Sequence, residues 1–306
     1  MSVVSPTLDK RDAIDAFAAG MMILLTLTWG LNQVAIKISN EGYNPVFLTV
    51  ARSTIAAILV LGWCRIRGIR LFERDGTLWP GIIVGAMFGL EFVLIFFGLD
   101  FTTAARGTLM VNTMPFWVLI GAHFLLGEHM TRLKLGGLLL AFCGVVLVFS
   151  DRLSLPSAGA LRGDFMMLGA GLLWAGTTLV IKRTRLADVS AEKTLLYQLL
   201  VSAVVSAPLI PLAGPVLRDV STLATASLLY QAVFVVAFTY VLWFWLMRRY
   251  PAAGLSSFTF LSPVFGVLGG GLLLDEPLSW RIFAALAMIA VGLLLVNRPV
   301  RRGQPG

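Results

Sequence analysis

"AARGTLMVNTMPFWVLIGAHFLLGEHMTRLKLGGLLLAFCGVVLV" occupies residues 104–148, and "AAGLSSFTFLSPVFGVLGGGLLLDEPLSWRIFAALAMIAVGLLLV", residues 252–296, repeats its layout 148 positions later. The two stretches share 11 identities in 45 aligned positions. Leu and Val matches cost little in apolar sequence, but six of the matches are of another kind. Ala104 falls on Ala252, Ala105 on Ala253, Pro115 on Pro263, Gly121 on Gly269, Glu128 on Glu276 and Gly144 on Gly292. In each copy an apolar run of about 20 residues, enough to cross a hydrocarbon core of about 30 Å, stops at a carboxylate. A hydroxyl residue, Thr131 or Ser279, follows three positions later. Such residues are good helix N-caps, so a shorter second crossing helix is predicted to start there.

The rest of the chain has the same character. Apolar residues make up 58%, the 30 glycines are additional, and only 13% of residues are charged. A soluble domain averages about 45–50% apolar with glycine included, and about 25% charged. Mean hydropathy is +0.87. Ten apolar runs are read as spans: 17–38, 45–64, 78–99, 103–126, 133–150, 163–182, 193–213, 222–247, 252–274 and 281–297. They do not alternate in segments of about 10 residues, as the strands of a membrane barrel would, so an all-α polytopic membrane protein is predicted. The connections are too short for a soluble catalytic or nucleotide-binding domain. Residues 1–16 mix Lys10 and Arg11 with Asp9, Asp12 and Asp15 and are read as a retained N-terminal segment, not a cleaved signal peptide. Cys64 and Cys143 lie in or beside apolar helices and imply neither a disulfide framework nor a metal site.

The net charge of +8 reads as topology, not as a nucleic-acid surface. With the N-terminus inside, 17 Lys and Arg fall in inner segments and 5 in outer ones, with Lys37 and Arg52 within helices. That bias places both termini in the cytoplasm; the expected location is the cell (inner) membrane.

Nearer the N-terminus the repeat continues at an offset of 145: Trp29 falls on Trp174, Ile36 on Ile181 and Lys37 on Lys182. Each half holds five spans, an odd number, so the second copy enters the membrane upside down. The expected organisation is an N-terminal segment (1–16), a first repeat (17–150), a linker (151–162), a second repeat (163–297) and a tail (298–306). Inverted repeats are a recurrent plan of secondary transporters, with the substrate site near midplane between them. Glu128 and Glu276 then mark the same joint on opposite surfaces. Their expected role is to stabilise that turn and the positive end of the following helix; a gating or coupling role is the alternative.

The two quoted stretches, with the Trp29-Gly30 dipeptide and Arg52, resemble the EamA repeat of the drug/metabolite transporter superfamily over residues 17–297. Within it the chain looks most like the bacterial amino-acid exporters of the YddG type. The resemblance implies ten helices, a central cavity and alternating access, and it alone supplies the direction of export.

Polar side chains inside a bilayer usually face the bundle interior, and helical spacing shows which share a face. Trp29, Asn32 and Gln33 sit at i, i+3 and i+4 in the first span, and Trp174, Thr177 and Thr178 repeat that arrangement in the sixth. Tyr240, Trp243 and Phe244 follow the same spacing in the eighth, and the fourth contributes Thr108 and Asn112. These residues, with Glu91, form the predicted substrate-binding set. The alternatives are an interfacial belt for the tryptophans and helix–helix contacts for the polar groups. Such a lining suits a small zwitterion with an apolar side chain, and a hydrophobic organic cation nearly as well. Pro115 and Pro263 are predicted to kink their helices. Gly81, Gly85 and Gly89 form a close-packing face on the third span, and Glu91 points away from it. Three roles are open for Glu91: an ion pair with Arg52, which is the first expectation, a ligand for a substrate ammonium, or a carrier of a coupling proton. Arg52 is expected to be structural. Lys37 and Lys182 are expected to snorkel from helix ends, and His123 and His129 to be incidental.

An intramembrane enzyme is the rival class, but HExxH, GxSxG and Walker patterns are lacking. A channel and a non-transporting receptor fit the repeat and the short loops less well. The expectation is a transporter without cofactor or metal, functional as a monomer with a dimer as the alternative. Its partners are a small-molecule substrate and the lipid bilayer, with no nucleic acid.

Overall fold

The computed structural model of the chain describes residues 11–153, 158–273 and 279–298. All regular structure among them is helical, apart from one antiparallel bridge between Tyr43 and Leu217. The helices, numbered by membrane span, are α1 (Ala16–Gly42), α2 (Pro45–Ile66), α3 (Leu78–Phe101), α4 (Ala104–Leu126), α5 (Arg132–Phe149), α6 (Ala158–Arg183), α7 (Ala191–Ala213), α8 (Thr222–Arg249), α9 (Ala252–Leu273) and α10 (Arg281–Val296). Nine of them are long and apolar enough to cross a membrane among the described residues. The tenth, α10, has 16 residues, about 24 Å at 1.5 Å per residue. Against the sequence reading, α1 runs on to Gly42 and α6 begins earlier, at Ala158. Large apolar side chains such as Ile66, Phe124, Phe283 and Leu294 are exposed on the outer surface, as a lipid-facing surface requires.

Short polar residues fix the helix starts. Asp15 accepts from the Ala18 N–H at 2.8 Å to cap α1. That bond, with Tyr250 and Arg11 beside it, holds the Asp15 carboxyl below its usual range. Asn44 caps α2 through the N–H groups of Val46 and Phe47, with Pro45 in the first turn. Thr103 caps α4, Thr131 caps α5, Ser190 caps α7 and Ser221 caps α8. The expected cap by Ser279 is shifted: its hydroxyl accepts from the Arg281 N–H at 3.2 Å, but Trp280 occupies the cap position of α10.

Three helices are interrupted. α4 divides into Ala104–Val111 and Met114–Leu126, with Pro115 just past the break. α9 divides into Ala252–Ser257, a 3-10 turn at Phe258–Phe260, and Leu261–Leu273, with Pro263 just past it. The two prolines therefore break equivalent helices at equivalent points, as predicted. In α8, residues Gln231–Thr239 widen into a π-helix, which the sequence reading did not anticipate.

The packing is unchanged when the two halves are exchanged. α1 packs on α9 as α6 packs on α4, α3 packs on α6 as α8 packs on α1, and α3 packs on α7 as α8 packs on α2. The glycine face of α3 does what its spacing predicts: a Cβ on Gly85 would stand 2.6 Å from the Tyr197 carbonyl oxygen on α7. Gly30 of α1 has the Ser262 carbonyl oxygen of α9 at 2.7 Å from its missing Cβ. The fifth helices, α5 and α10, meet each other along their length. A Cβ on Gly137 would meet the Gly292 carbonyl oxygen at 2.7 Å, and one on Gly144 the Ala285 carbonyl oxygen at 3.0 Å. Ala285 and Gly292 are the repeat mates of Gly137 and Gly144, so the same pair of positions meets twice.

Candidate functional site

The helices that pack in exchange-related pairs leave a cavity of about 430 Å³ between them. Trp29 and Asn32 enter it from α1, and their repeat mates Trp174 and Thr177, with Thr178, enter from α6. Thr108 and Asn112 border it from α4, Tyr240, Trp243 and Phe244 from α8, and Glu91 from α3. Eleven of the twelve candidate residues thus face one space; the side chain of the twelfth, Gln33, lies outside the described residues. Asn112 owes its position to the break in α4, where its amide donates to the Thr108 carbonyl at 2.8 Å. The π-helix brings Thr239 to the Trp29 indole N–H at 2.9 Å. It is held from α1, because Gln231 donates to Ser39 Oγ at 2.9 Å and to the Ala35 carbonyl at 3.3 Å.

One wall is a run of rings in edge-to-face contact. Trp243 meets Trp29 at 5.6 Å between centroids, Trp29 meets Tyr240 at 6.0 Å, Tyr240 meets Phe88 at 6.2 Å, and Phe88 meets Phe92 at 5.0 Å. The run ends at a charge, the Arg52 guanidinium, 4.5 Å from the Phe92 ring centroid. Edge-to-face pairs are favourable beyond their burial, and the last contact is a cation–π interaction. Phe88, Phe92 and Gln198 line the cavity but were missed in the sequence. Phe88, Glu91, Phe92 and Ile95 stand at i, i+3, i+4 and i+7, and Thr194, Gln198 and Ser202 at i, i+4 and i+8, so both faces were readable.

The expected ion pair between Arg52 and Glu91 is not present. Both side chains are buried and border the cavity. Yet among the described residues they form no salt bridge with each other or with any other residue, and neither makes a side-chain hydrogen bond. The Glu91 Oε2, Asn32 Oδ1, Thr177 Oγ1 and Gln198 Oε1 atoms are all buried without a hydrogen-bond partner. Buried polar groups in proteins are nearly always paired, and a buried unpaired charge is costly. Four such atoms and an unbonded guanidinium around one cavity mark a place built for a ligand.

The two ends of the cavity differ. Its exposed lining residues are Lys37 and Ala104, near the C-terminus of α1 and the N-terminus of α4, so it opens on the face opposite the start of α1 and the end of α10, the terminal face. Beyond this mouth, Arg106 and Asp164 form an ion pair that Thr102 joins at 2.6 Å, tying α3 and α4 to α6. On the terminal face the way is closed by the corner between α8 and α9, where Met247 is buried. Two charges grip this corner. Lys182 donates to the carbonyls of Met247, at 3.0 Å, and Tyr250, and Glu128 accepts from the N–H groups of Ala252 at 2.7 Å and Ala253 at 3.2 Å. Each charge complements the helix end it touches. The sequence reading is corrected on both counts. Glu128 does cap a helix, but that helix is α9 in the other repeat, not its neighbour α5, because Gly127 turns left-handed at φ 71° and ends α4 there. Lys182 does not snorkel to the surface; it is half-buried against carbonyls. Glu276 lies outside the described residues.

Comparison with known proteins agrees with this architecture. The EamA-like transporter family model matches residues 16–150 and again 161–298. The chain is 26% identical over 276 residues to an uncharacterized transporter, YoaV, of Bacillus subtilis, covering 90% of this chain and 94% of that protein. It is equally 26% identical over 288 residues to a "probable amino-acid metabolite efflux pump" of Escherichia coli, covering 90% and 93%. A crystal structure described only as a protein superposes with a TM-score of 0.81 at 20% identity, over 92% of this chain and 98% of that one, which speaks for the fold alone. With two matched repeats, ten apolar helices and a central cavity between them, the chain belongs to the EamA-like transporter family.

Proposed function

We propose that the protein is a secondary carrier that exports small neutral amino acids, aromatic ones above all, by alternating access through the central cavity. The observation that carries this reading is the lining: a run of aromatic rings beside a few buried polar atoms and one buried charge of each sign, with Lys37 at the mouth. Ligand sites are typically concave, mainly apolar and fixed by few polar groups. Relatives named as amino-acid metabolite efflux pumps support it further. With both termini in the cytoplasm of a cell whose inner membrane holds the protein, the open mouth faces outward and the α8–α9 corner closes the inner side. The organic-cation reading draws on Glu91, but Arg52 on the same cavity opposes it. The test is exchange in proteoliposomes loaded with unlabelled amino acids. Saturable uptake of labelled phenylalanine, accelerated by internal amino acid, is expected. Exchange of hydrophobic quaternary amines alone, or ion conductance without saturation, overturns the proposal.

A further inference from the structure

Arg52 and Glu91 are 6% and 5% exposed, on the same cavity, with no hydrogen bond or ion pair among the described residues. In a low-dielectric site opposite charges that share a cavity gain by closing on each other. Here Arg52 is held back, its guanidinium laid on the Phe92 ring at 4.5 Å. Glu91 is one turn of α3 from Phe88 and is left with a buried, unpartnered Oε2. A split pair of this kind is completed by a ligand that carries both charges.

We infer that Arg52 and Glu91 are the two anchors of a zwitterion site, Arg52 for the α-carboxylate and Glu91 for the α-ammonium. The inference rests on the amino-acid reading of the cavity and adds to it which groups of the substrate are recognised. A guanidinium presents a planar fork of donors that matches a carboxylate. An ammonium brings three N–H donors and no acceptor, and the atoms lacking partners on the same cavity as Glu91 include three that accept: Asn32 Oδ1, Thr177 Oγ1 and Gln198 Oε1. The apolar side chain then lies against the rings of Trp29, Tyr240 and Phe88. Selectivity for neutral amino acids follows, because the ligand's two charges match the two buried ones, Lys37 standing exposed at the mouth. An amine without a carboxylate leaves Arg52 unpaired, and an acid without an amine leaves Glu91 unpaired, so both are rejected.

The experiment measures binding to the purified full-length protein with three ligands that share a ring: phenylalanine, phenethylamine and 3-phenylpropionate. The wild type is expected to bind phenylalanine about tenfold or more tightly than either single-charge analogue, the size expected for one charged hydrogen-bonding contact. Arg52→Gln should weaken phenylalanine by a similar factor and leave phenethylamine within about twofold, while Glu91→Gln should weaken phenylalanine and leave 3-phenylpropionate within about twofold. The wild-type series alone decides the matter if a variant fails to fold. Phenethylamine binding as well as phenylalanine, or variants that weaken all three ligands equally, overturns the inference while leaving amino-acid transport intact. Failure of the wild type to bind or exchange any amino acid overturns the function reading and this inference together.

Discussion

Trp174 shows how much a single residue discloses. Its place in the sequence, one repeat offset from Trp29 and followed by Thr177 and Thr178, put it on a polar face of α6, and that face borders the cavity. Trp174→Ala is expected to lower amino-acid exchange by about tenfold, the loss of one large apolar contact, with expression and melting temperature near wild type. Equal exchange by the variant and the wild type would return Trp174 to a packing role. The candidate site was legible to this extent because helical spacing fixes which side chains share a face. Spacing cannot fix distances between helices. Arg52 and Glu91 therefore read as a pair from sequence, although in the structure Arg52 lies on Phe92 and Glu91 meets the cavity. Gln198 was readable but overlooked: Thr194, Gln198 and Ser202 stand at i, i+4 and i+8, one polar face of α7.

At the scale of single helices, breaks were readable where proline causes them and unreadable where a neighbour does. Pro115 and Pro263 announced the interruptions of α4 and α9. The π-helix of α8 begins at Gln231, which bonds to α1, a contact between helices that periodicity does not display. The same distinction explains Glu128, whose turn was foreseen and whose partner helix was not. Glu128→Ala removes the carboxylate that accepts from Ala252 and Ala253 and is expected to destabilise the protein by about 1–2 kcal/mol, read as a lower melting temperature. An unchanged melting temperature would show that the α9 end needs no cap. Ahead of α3, Asp75 offers a test with pH. Burial raises its pKa, but Lys193 at 2.6 Å and Thr77 outweigh burial and bring it from 3.8 down to about 2. Its contribution is therefore complete above about pH 4 and is lost as pH falls through about 2. The melting temperature should drop over that window in the wild type, and Asp75→Asn should flatten the drop; parallel acid profiles for the two proteins would count against it.

For the molecule as a whole, the ten spans and the inversion were legible because both are patterns of composition and repeat. Orientation rests on charge and is tested by labelling in a cysteine-free background. Val220→Cys, on the face of the cavity mouth, is expected to react with an impermeant maleimide in intact cells, and Phe72→Cys only after permeabilisation. The reverse pattern would invert the topology. The contact of α5 with α10 has a wider consequence. Position 137 touches 292 while 144 touches 285, and since each position meets the other's mate, the surface is self-complementary in the way of an isologous homodimer interface. The two halves are then subunits joined by a tether, and their recognition lies in backbone-close glycine contacts, not in the tether. Co-expressed as separate polypeptides, residues 1–153 and 158–306 are expected to assemble in the membrane, co-purify and restore exchange. Replacing Gly292 by Leu, where a side chain has no room against Gly137, should abolish that assembly before it abolishes expression of either half.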